Sequence, residues 1–440
     1  MKLSFKQLME AIRERFRRHA DPETQFEMIN DALEEGDFET VLEETDKIIS
    51  RSRYVSNFTG RLLAKTRFFN SSEEYNNYLL RHPTQSYISW EFPLAPEAHF
   101  HRALVFQKSG RLRSSREEIE KSLMEFPDSA KYLVELGFIL FNMKQYSDAA
   151  AAFERALEND LTDDRLYSSR AQIGLGLLHL EQADYLGAKR CLNEARRLSP
   201  DNREVMAHLH LLSELETDPR QRADYFLGVG SFDSALEAFN EALLQNPNDF
   251  DMHLGIAFTY KELQQFDLAE KHIKKAFQYN PGSAQVNFAL GWTYLMQDRP
   301  ELAEEEIIKA IRKNPYDGGF YVGLAYVYLE RARAGEIIEA DKLISATTRA
   351  AELDPLYPES YMILAEYYQL EENLAAARKA IESAVRISPN NQSAHILAAE
   401  IYLELGRKKR SMHHLNEAAD FGRDTEEMQQ LRDRLQGEDL

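Results

Sequence analysis

The stretch ALGWTYLMQDRPELAEEEIIKAIRKNP, residues 289–315, decides the fold. Its apolar residues recur every three or four positions on both sides of the polar segment QDRPE, which is the spacing of two amphipathic helices. Pro300 suits the first turn of the second helix, because the backbone N–H groups of that turn have no helical partner. Asn314 and Pro315 end the second helix. The stretch therefore predicts two helices joined by a short turn.

This two-helix pattern repeats along the second half of the chain. The prolines that close successive patterns are separated by 34, 34, 40 and 34 residues, and an alanine precedes each proline by five positions. The prolines are Pro247, Pro281, Pro315, Pro355 and Pro389. A fixed period of this length predicts a stack of similar units, each of which buries the apolar face of its neighbour.

The repeat resembles the tetratricopeptide repeat (TPR), whose pattern is L-G-x-x-Y, then A-x-x-x-[FI]-x-x-A, then proline. In the quoted stretch this pattern falls on Leu290, Gly291, Tyr294, Ala303, Ile307, Ala310 and Pro315. The tryptophan that the family often has three residues before the Leu-Gly pair is replaced here by Asn287. The resemblance implies an all-α protein, a right-handed α–α superhelix of about nine to eleven helix pairs.

The pattern divides the chain into four parts. We expect a basic amphipathic helix at residues 1–20, a divergent TPR-like helical region at 22–95, the TPR solenoid at 96–423 and a capping helix at 424–437. Three prolines within residues 83–96 favour a break in the stack there. The C-terminal helix is the element that a solenoid needs to cover the open apolar face of its last unit.

The composition limits the classes of function. A formal net charge of −20 argues against nucleic acid as a partner, because phosphates require a basic surface. No apolar run approaches the roughly 20 residues that span a bilayer, and no signal peptide is recognisable. A single cysteine, Cys191, is typical of a reducing compartment. We therefore expect a cytoplasmic protein, free or peripheral to a membrane or a large assembly, with no cofactor, no metal and no catalytic site.

Apolar side chains recur at positions 5, 9 and 12 of the first helix in most units, and the unit at 216–247 departs from this pattern with Arg220 and Asp224. In TPR proteins these positions line the inner face of the superhelix, where aromatic side chains would anchor a bound segment. The groove becomes acidic at its C-terminal end. The predicted groove residues are Phe100, Val134, Phe138, Phe141, Leu177, Leu254, Phe258, Phe288, Trp292, Val322, Tyr326, Met362, Glu366 and Glu400.

These positions lack the lysine and asparagine or arginine set with which the best-known TPR clamps hold a peptide's C-terminal carboxylates. We therefore expect a non-enzymatic scaffold or adaptor that binds a protein or peptide partner through an apolar helix or an extended segment. The alternative is a ligand-switched regulator, whose superhelix tightens on a peptide and releases an effector held by the N-terminal region. A competing interpretation of the same side chains is that they are buried between neighbouring units as core.

The N-terminal helix has one apolar face and an otherwise mostly basic surface. Three interpretations are open: a capping helix packed on residues 26–50, a helix at a membrane surface, and a helix that binds a partner or the acidic body of the chain itself. Glu10 and Glu14 weaken the membrane interpretation. The residues of the apolar face are Leu3, Phe5, Leu8, Ile12 and Phe16.

Overall fold

The structure is a computed structural model. The residues that it describes are 22–59, 66–68, 89–91, 94–160, 165–422 and 424–437. The predicted N-terminal helix, with Leu3, Phe5, Leu8, Ile12 and Phe16, lies outside these residues. Contacts group the chain into two compact units. The first unit comprises Met1–Leu178 and Ala188–Met206, and the second comprises His179–Gly187 and Ala207–Leu440.

The described residues form 22 α-helices and one two-stranded sheet. The strands are β1 (Thr66–Phe68) and β2 (Ser89–Glu91), which pair in parallel. The helices are α1 (Pro22–Glu35), α2 (Phe38–Thr59), α3 (Leu94–Lys108), α4 (Leu112–Glu125), α5 (Ala130–Asn142), α6 (Tyr146–Asn159), α7 (Leu166–Glu181), α8 (Tyr185–Leu198), α9 (Arg203–Thr217), α10 (Pro219–Val229), α11 (Phe232–Gln245), α12 (Phe250–Glu262), α13 (Phe266–Tyr279), α14 (Ala284–Met296), α15 (Pro300–Lys313), α16 (Gly318–Arg333), α17 (Ala340–Leu353), α18 (Glu359–Leu370), α19 (Leu374–Ile387), α20 (Gln392–Glu404), α21 (Lys408–Phe421) and α22 (Glu426–Gly437).

Twenty of the described helices form ten consecutive pairs, from α1–α2 to α7–α8 and from α10–α11 to α20–α21. The prediction of an all-α stack with about nine to eleven pairs is therefore confirmed. Helix α9 stands between two pairs and accounts for the wide interval of 47 residues from Pro200 to Pro247. The small sheet, between α2 and α3, was not predicted.

In every described pair, the turn between the two helices contains a residue with left-handed backbone geometry. In the α12–α13 turn, Gln264 has a φ of 58°. Its N–H donates to the Lys261 carbonyl at 2.9 Å, and the Gln265 N–H donates to the Tyr260 carbonyl at 2.8 Å. This is the Schellman arrangement, which satisfies the last carbonyls of a helix. The left-handed residues of the ten turns are Gly36, Gly110, Lys144, Ala183, Gly230, Gln264, Asp298, Gly335, Glu372 and Gly406.

The periodic prolines mark the starts of the following pairs. Two residues after four of these prolines stands a side chain that accepts a hydrogen bond from a backbone N–H of the new helix, and so caps it. The caps are Asp249, Ser283, Asp317 and Asn391, on α12, α14, α16 and α20. Proline ends one helix, and the cap begins the next, so together they set the repeat length.

The small residues of the repeat pattern lie where the two helices of a pair touch. Ala303, Ile307 and Ala310 of α15 are all 0% exposed. A Cβ atom on Gly291 would lie 2.7 Å from Ile307 Cγ1 and 3.0 Å from the Ala303 carbonyl oxygen. Glycine is therefore required at this position for α14 to approach α15.

Helix α22 covers the last pair. Its Met428, Leu431 and Leu435 are buried against a cluster of α20 and α21 that includes Ala399 and Leu415. These three side chains are spaced by three and four residues, so they lie on one face of α22. The remaining surface of the helix is polar, as an end cap requires.

Candidate functional site

In the second unit, the first helices of four consecutive pairs surround a cleft of about 460 Å³. Each of α12, α14, α16 and α18 contributes its position-9 side chain to this cleft. These side chains are Phe258, Trp292, Tyr326 and Glu366. A repeat with a constant period brings them together, because equivalent positions on stacked helices face the same way.

Aromatic rings form the middle of the cleft. The Trp292 and Tyr326 rings are stacked, with centroids 5.3 Å apart and planes 25° from parallel. Phe288 lies 6.2 Å from Trp292 and packs at 5.0 Å on Phe320 beneath it. Phe258 is 39% exposed. The rings therefore hold one another in place and still present apolar surface to the cleft.

A second cleft of about 600 Å³ continues the first, since Met362 and Glu366 line both. Arg333 is the one basic residue among the described residues of its lining, and it donates to Glu330 at 2.5 Å and to Glu366. The acidic residues of the lining are Glu366, Glu372, Glu400, Glu404 and Glu427. The structure thus joins an aromatic cleft to an acidic one.

The acidic residues of the second cleft repel one another. Burial raises the pKa of Glu400, and the charges of Glu427, Glu404 and Glu366 raise it further, with Arg434 acting against them. Burial also raises the pKa of Glu366, although Arg333 lowers it. A cation placed among these carboxylates would lower both pKa values.

Several lining residues were missed by the sequence analysis. Lys261 stands three residues after Phe258, and Arg333 stands seven after Tyr326, so both share the helix face of a predicted residue. Extending the pattern by one and two turns would have found them. Glu359 carried no such signal. One of its carboxylate oxygens, Oε2, is buried and has no hydrogen-bond partner among the described residues.

Four of the predicted groove residues are buried in core clusters, and one of them, Val322 at 8% exposed, also borders the aromatic cleft, whereas the other three line neither cleft. Phe100, Val134 and Leu254 are 7%, 0% and 8% exposed, and each packs in a cluster of buried side chains. The competing core interpretation applies to Phe100, Val134 and Leu254, because their side chains lie within these buried clusters and outside both clefts. We leave these three out of the proposed binding surface.

Other predicted residues divide between the two units. Phe138, Phe141 and Leu177 lie half-buried in the first unit, where Phe138 packs edge-on against Phe153 at 5.1 Å. In the second unit, Val322 and Met362 line the aromatic cleft and Glu400 lines the acidic one. The structure therefore brings together Phe258, Phe288, Trp292, Val322, Tyr326, Met362, Glu366 and Glu400.

Two further features are absent from the described part of the chain. No three His, Cys, Asp or Glu side chains there converge in a way that could hold a metal ion. No helix within the described ranges has both the length and the apolar character needed to cross a lipid bilayer.

Comparison with known proteins gives partial relatives. The chain is 30% identical to human protein O-mannosyl-transferase TMTC3 over 118 residues. This matched segment is 27% of this chain and 12% of the relative. It is 32% identical over 144 residues to the type IV pilus assembly protein PilF of Pseudomonas aeruginosa, covering 31% of this chain and 55% of the relative. The chain thus spans about half or less of the length of these relatives.

A solved structure and family models of the tetratricopeptide repeat also match this chain. A tetratricopeptide repeat protein from Parabacteroides merdae is 19% identical, with a TM-score of 0.43, over 61% of this chain and 99% of that chain. Models of the tetratricopeptide repeat match more than half of this chain, at residues 128–201, 220–258, 259–318 and 368–435. The chain therefore belongs to the tetratricopeptide repeat family, whose members are typically non-enzymatic scaffolds for protein interactions.

Proposed function

We propose that this protein is a non-enzymatic scaffold or adaptor, and that it holds an apolar segment of a partner protein in the cleft between α12, α14, α16 and α18. One observation carries the proposal: four consecutive first helices present aromatic and aliphatic side chains around a single open cleft. Apolar surface that leaves water contributes about 25 cal/mol per Å², and interface energy concentrates on aromatic side chains at the centre of a surface.

We further propose that the scaffold acts within a larger cytoplasmic assembly. The matched segment of the relative named as a type IV pilus assembly protein supports this class of role. Contact of residues 1–20 with a membrane surface or a partner belongs to the same proposal, because that segment combines an apolar face with basic residues.

A matched pair of phenylalanines tests the site. Phe258 in the cleft is 39% exposed, and Phe277 on the second helix α13, which does not line the cleft, is 42% exposed. Peptides selected on the wild-type protein from a random displayed library would be measured against Phe258→Ala and Phe277→Ala by titration calorimetry. We expect about a thirtyfold loss of affinity with Phe258→Ala, the effect of a hot-spot residue that contributes about 2 kcal/mol, and no change with Phe277→Ala.

Trp292→Ala extends the test to the centre of the cleft. Capture of the selected peptides should fall while the melting temperature changes little, because the Trp292 ring is only half-buried. Equal binding by Phe258→Ala, Trp292→Ala and the wild type would move the binding surface elsewhere. A large loss of stability with unchanged capture would make Trp292 a core residue.

A further inference from the structure

The charge of the continuous cleft changes sharply along its length. The part around Trp292 is lined mainly by aromatic and aliphatic side chains, whereas the part beyond Met362 carries five glutamates and one arginine among its described lining residues. Arg333 is already engaged by Glu330 and Glu366. Glu400 and Glu404 therefore keep a net negative field at this end of the cleft.

The apolar walls distinguish a helix from an extended segment. An extended segment leaves its backbone N–H and C=O groups in need of partners, and the side chains of Phe258, Phe288 and Val322 supply none. A helix satisfies its own backbone and presents an apolar stripe. The aromatic part of the cleft is therefore suited to one face of an amphipathic helix.

Two features of the cleft call for donors on that helix. Glu359 lines the aromatic cleft, its Oε2 atom is buried without a partner among the described residues, and a buried acceptor is stabilised when it receives a hydrogen bond. Glu400 lies near Glu404, Glu427 and Glu366, all of which disfavour its charge. Lysine or arginine side chains would serve both places.

We propose that the partner segment is a basic amphipathic helix, whose apolar face packs on Phe258, Trp292 and Tyr326 and whose lysine or arginine side chains meet Glu359, Glu400 and Glu404. This inference rests on the proposed function and specifies its partner. The continuous cleft, whose acidic end includes α20, crosses five first helices, or four steps of about 8–10 Å between packed helices. A helix that spans it needs about 21–27 residues at 1.5 Å per residue.

Two designed peptides of about 24 residues test the charge. Both carry leucines on one helical face, and their other positions hold lysine in one peptide and glutamate in the other. The full-length wild-type chain should bind the lysine peptide at least about tenfold more tightly, and this advantage should shrink as salt is added. The variant Glu400→Gln with Glu404→Gln should lose about threefold to tenfold in affinity for the lysine peptide.

A control separates the cleft from the overall charge. Glu237→Gln with Glu301→Gln removes the same two charges from exposed positions on second helices α11 and α15, outside both clefts, and should leave the affinity unchanged. Equal losses in both double variants would show attraction to net charge alone and would overturn the inference. Equal binding of the two peptides would overturn it as well, and would leave the proposed function intact.

The remaining outcomes decide between a helical partner, a failed proposed function and the chain's own N-terminal segment as the occupant of the cleft. If neither designed peptide binds, the helical partner is overturned. If every library peptide loses affinity equally for Phe258→Ala and Phe277→Ala, the proposed function is overturned. In the full chain, Leu8→Asp with Ile12→Asp disrupts the apolar face of residues 1–20. If this variant binds the lysine peptide about tenfold more tightly, the occupant is the chain's own N-terminal segment and not a partner.

Discussion

At the scale of single residues, polar pairs replace the tryptophan of the family pattern. The two members of each pair are 19 positions apart and join the first helix of a unit to the second. They are Gln25 with Glu44, His99 with Glu118, His253 with His272, Asn287 with Glu306, and His395 with His414. The sequence pattern pointed to Asn287 but to none of the pairs, because each partner lies on another helix.

Two of these pairs consist of histidines. The Nε2 atom of His395 faces the Pro389 carbonyl at 2.9 Å, so this nitrogen carries the proton and donates. Its Nδ1 atom therefore accepts from Nδ1–H of His414, at 3.1 Å. His253 and His272 repeat the arrangement at 3.3 Å. Each pair is satisfied only while both rings are neutral or share one extra proton.

The histidine pairs predict a loss of stability in mild acid. Burial lowers the pKa of His272 to about 4, with Lys275, His253 and Lys271 adding to the shift. Burial, His395, His413 and Arg410 lower the pKa of His414 to about 4, against Glu382. These folded-state values lie below the unfolded value near 6.5, so the stabilisation is complete above about pH 6.5 and is lost as pH falls toward about 4.

Urea unfolding at a series of pH values measures this loss. We expect the free energy of unfolding to fall by up to about 1.4 kcal/mol for each tenfold difference in proton affinity between the unfolded and folded chain. The variant His272→Gln with His414→Gln should show a flatter profile. Glu118, whose pKa is lowered to about 2 by His99, Lys121 and Arg102 against the opposing effect of its burial, loses its stabilisation only at lower pH. An unchanged profile in the double variant would contradict the assignment.

A glycine of the repeat pattern provides the second prediction at this scale. Gly291→Ala would push a methyl group against the Ala303 carbonyl and Ile307, so we expect a destabilisation of about 1–3 kcal/mol. Gly228→Ala on α10 is the matched control, because nothing lies within 4 Å of its Cβ position. Urea midpoints should fall for Gly291→Ala and stay equal or rise for Gly228→Ala. Equal behaviour would mean that α14 and α15 can separate freely.

At the scale of the elements, helix starts, stops and turns explain the regularity of the repeat. The prolines and the small residues were readable in the sequence because they act within one unit. The left-handed turns were not, since lysine, alanine, glutamine, aspartate and glutamate occupy half of the ten described turns. Hydrogen bonding of the turn, and not the side chain, selects the conformation there.

A non-glycine residue in a left-handed turn is strained, and replacing it by glycine relieves the strain. Gln264 is exposed and left-handed, and a non-glycine residue in that conformation costs about 1–2 kcal/mol. Glycine also increases the entropy of the unfolded chain, so the net stabilisation of Gln264→Gly should be about 0.5–1 kcal/mol. Gln264→Ala keeps the Cβ atom and should bring no stabilisation. The midpoints of urea unfolding of the two variants would be compared, and equal midpoints would contradict the argument.

At the scale of the whole molecule, the scaffold and the switch make different predictions. Small-angle scattering of the full chain, alone and saturated with the designed lysine peptide, measures its radius of gyration. A scaffold keeps the same radius, because the aromatic cleft is already open in the free protein. Marked compaction on binding would favour the ligand-switched regulator, in which the two states differ in affinity for the peptide.

The sequence alone determined the repeat, the helix pairs and the family, because each unit carries its own period, caps and small contact residues, and units touch mainly their neighbours. Only the tertiary structure decided which apolar positions remain accessible. Phe100 and Phe258 belong to the same predicted set, yet one is buried and the other exposed. The acidic end of the cleft, the unpartnered Glu359 oxygen and the histidine pairs likewise depend on side chains from different helices, and the burial of a side chain is set by the neighbouring helices that pack around it.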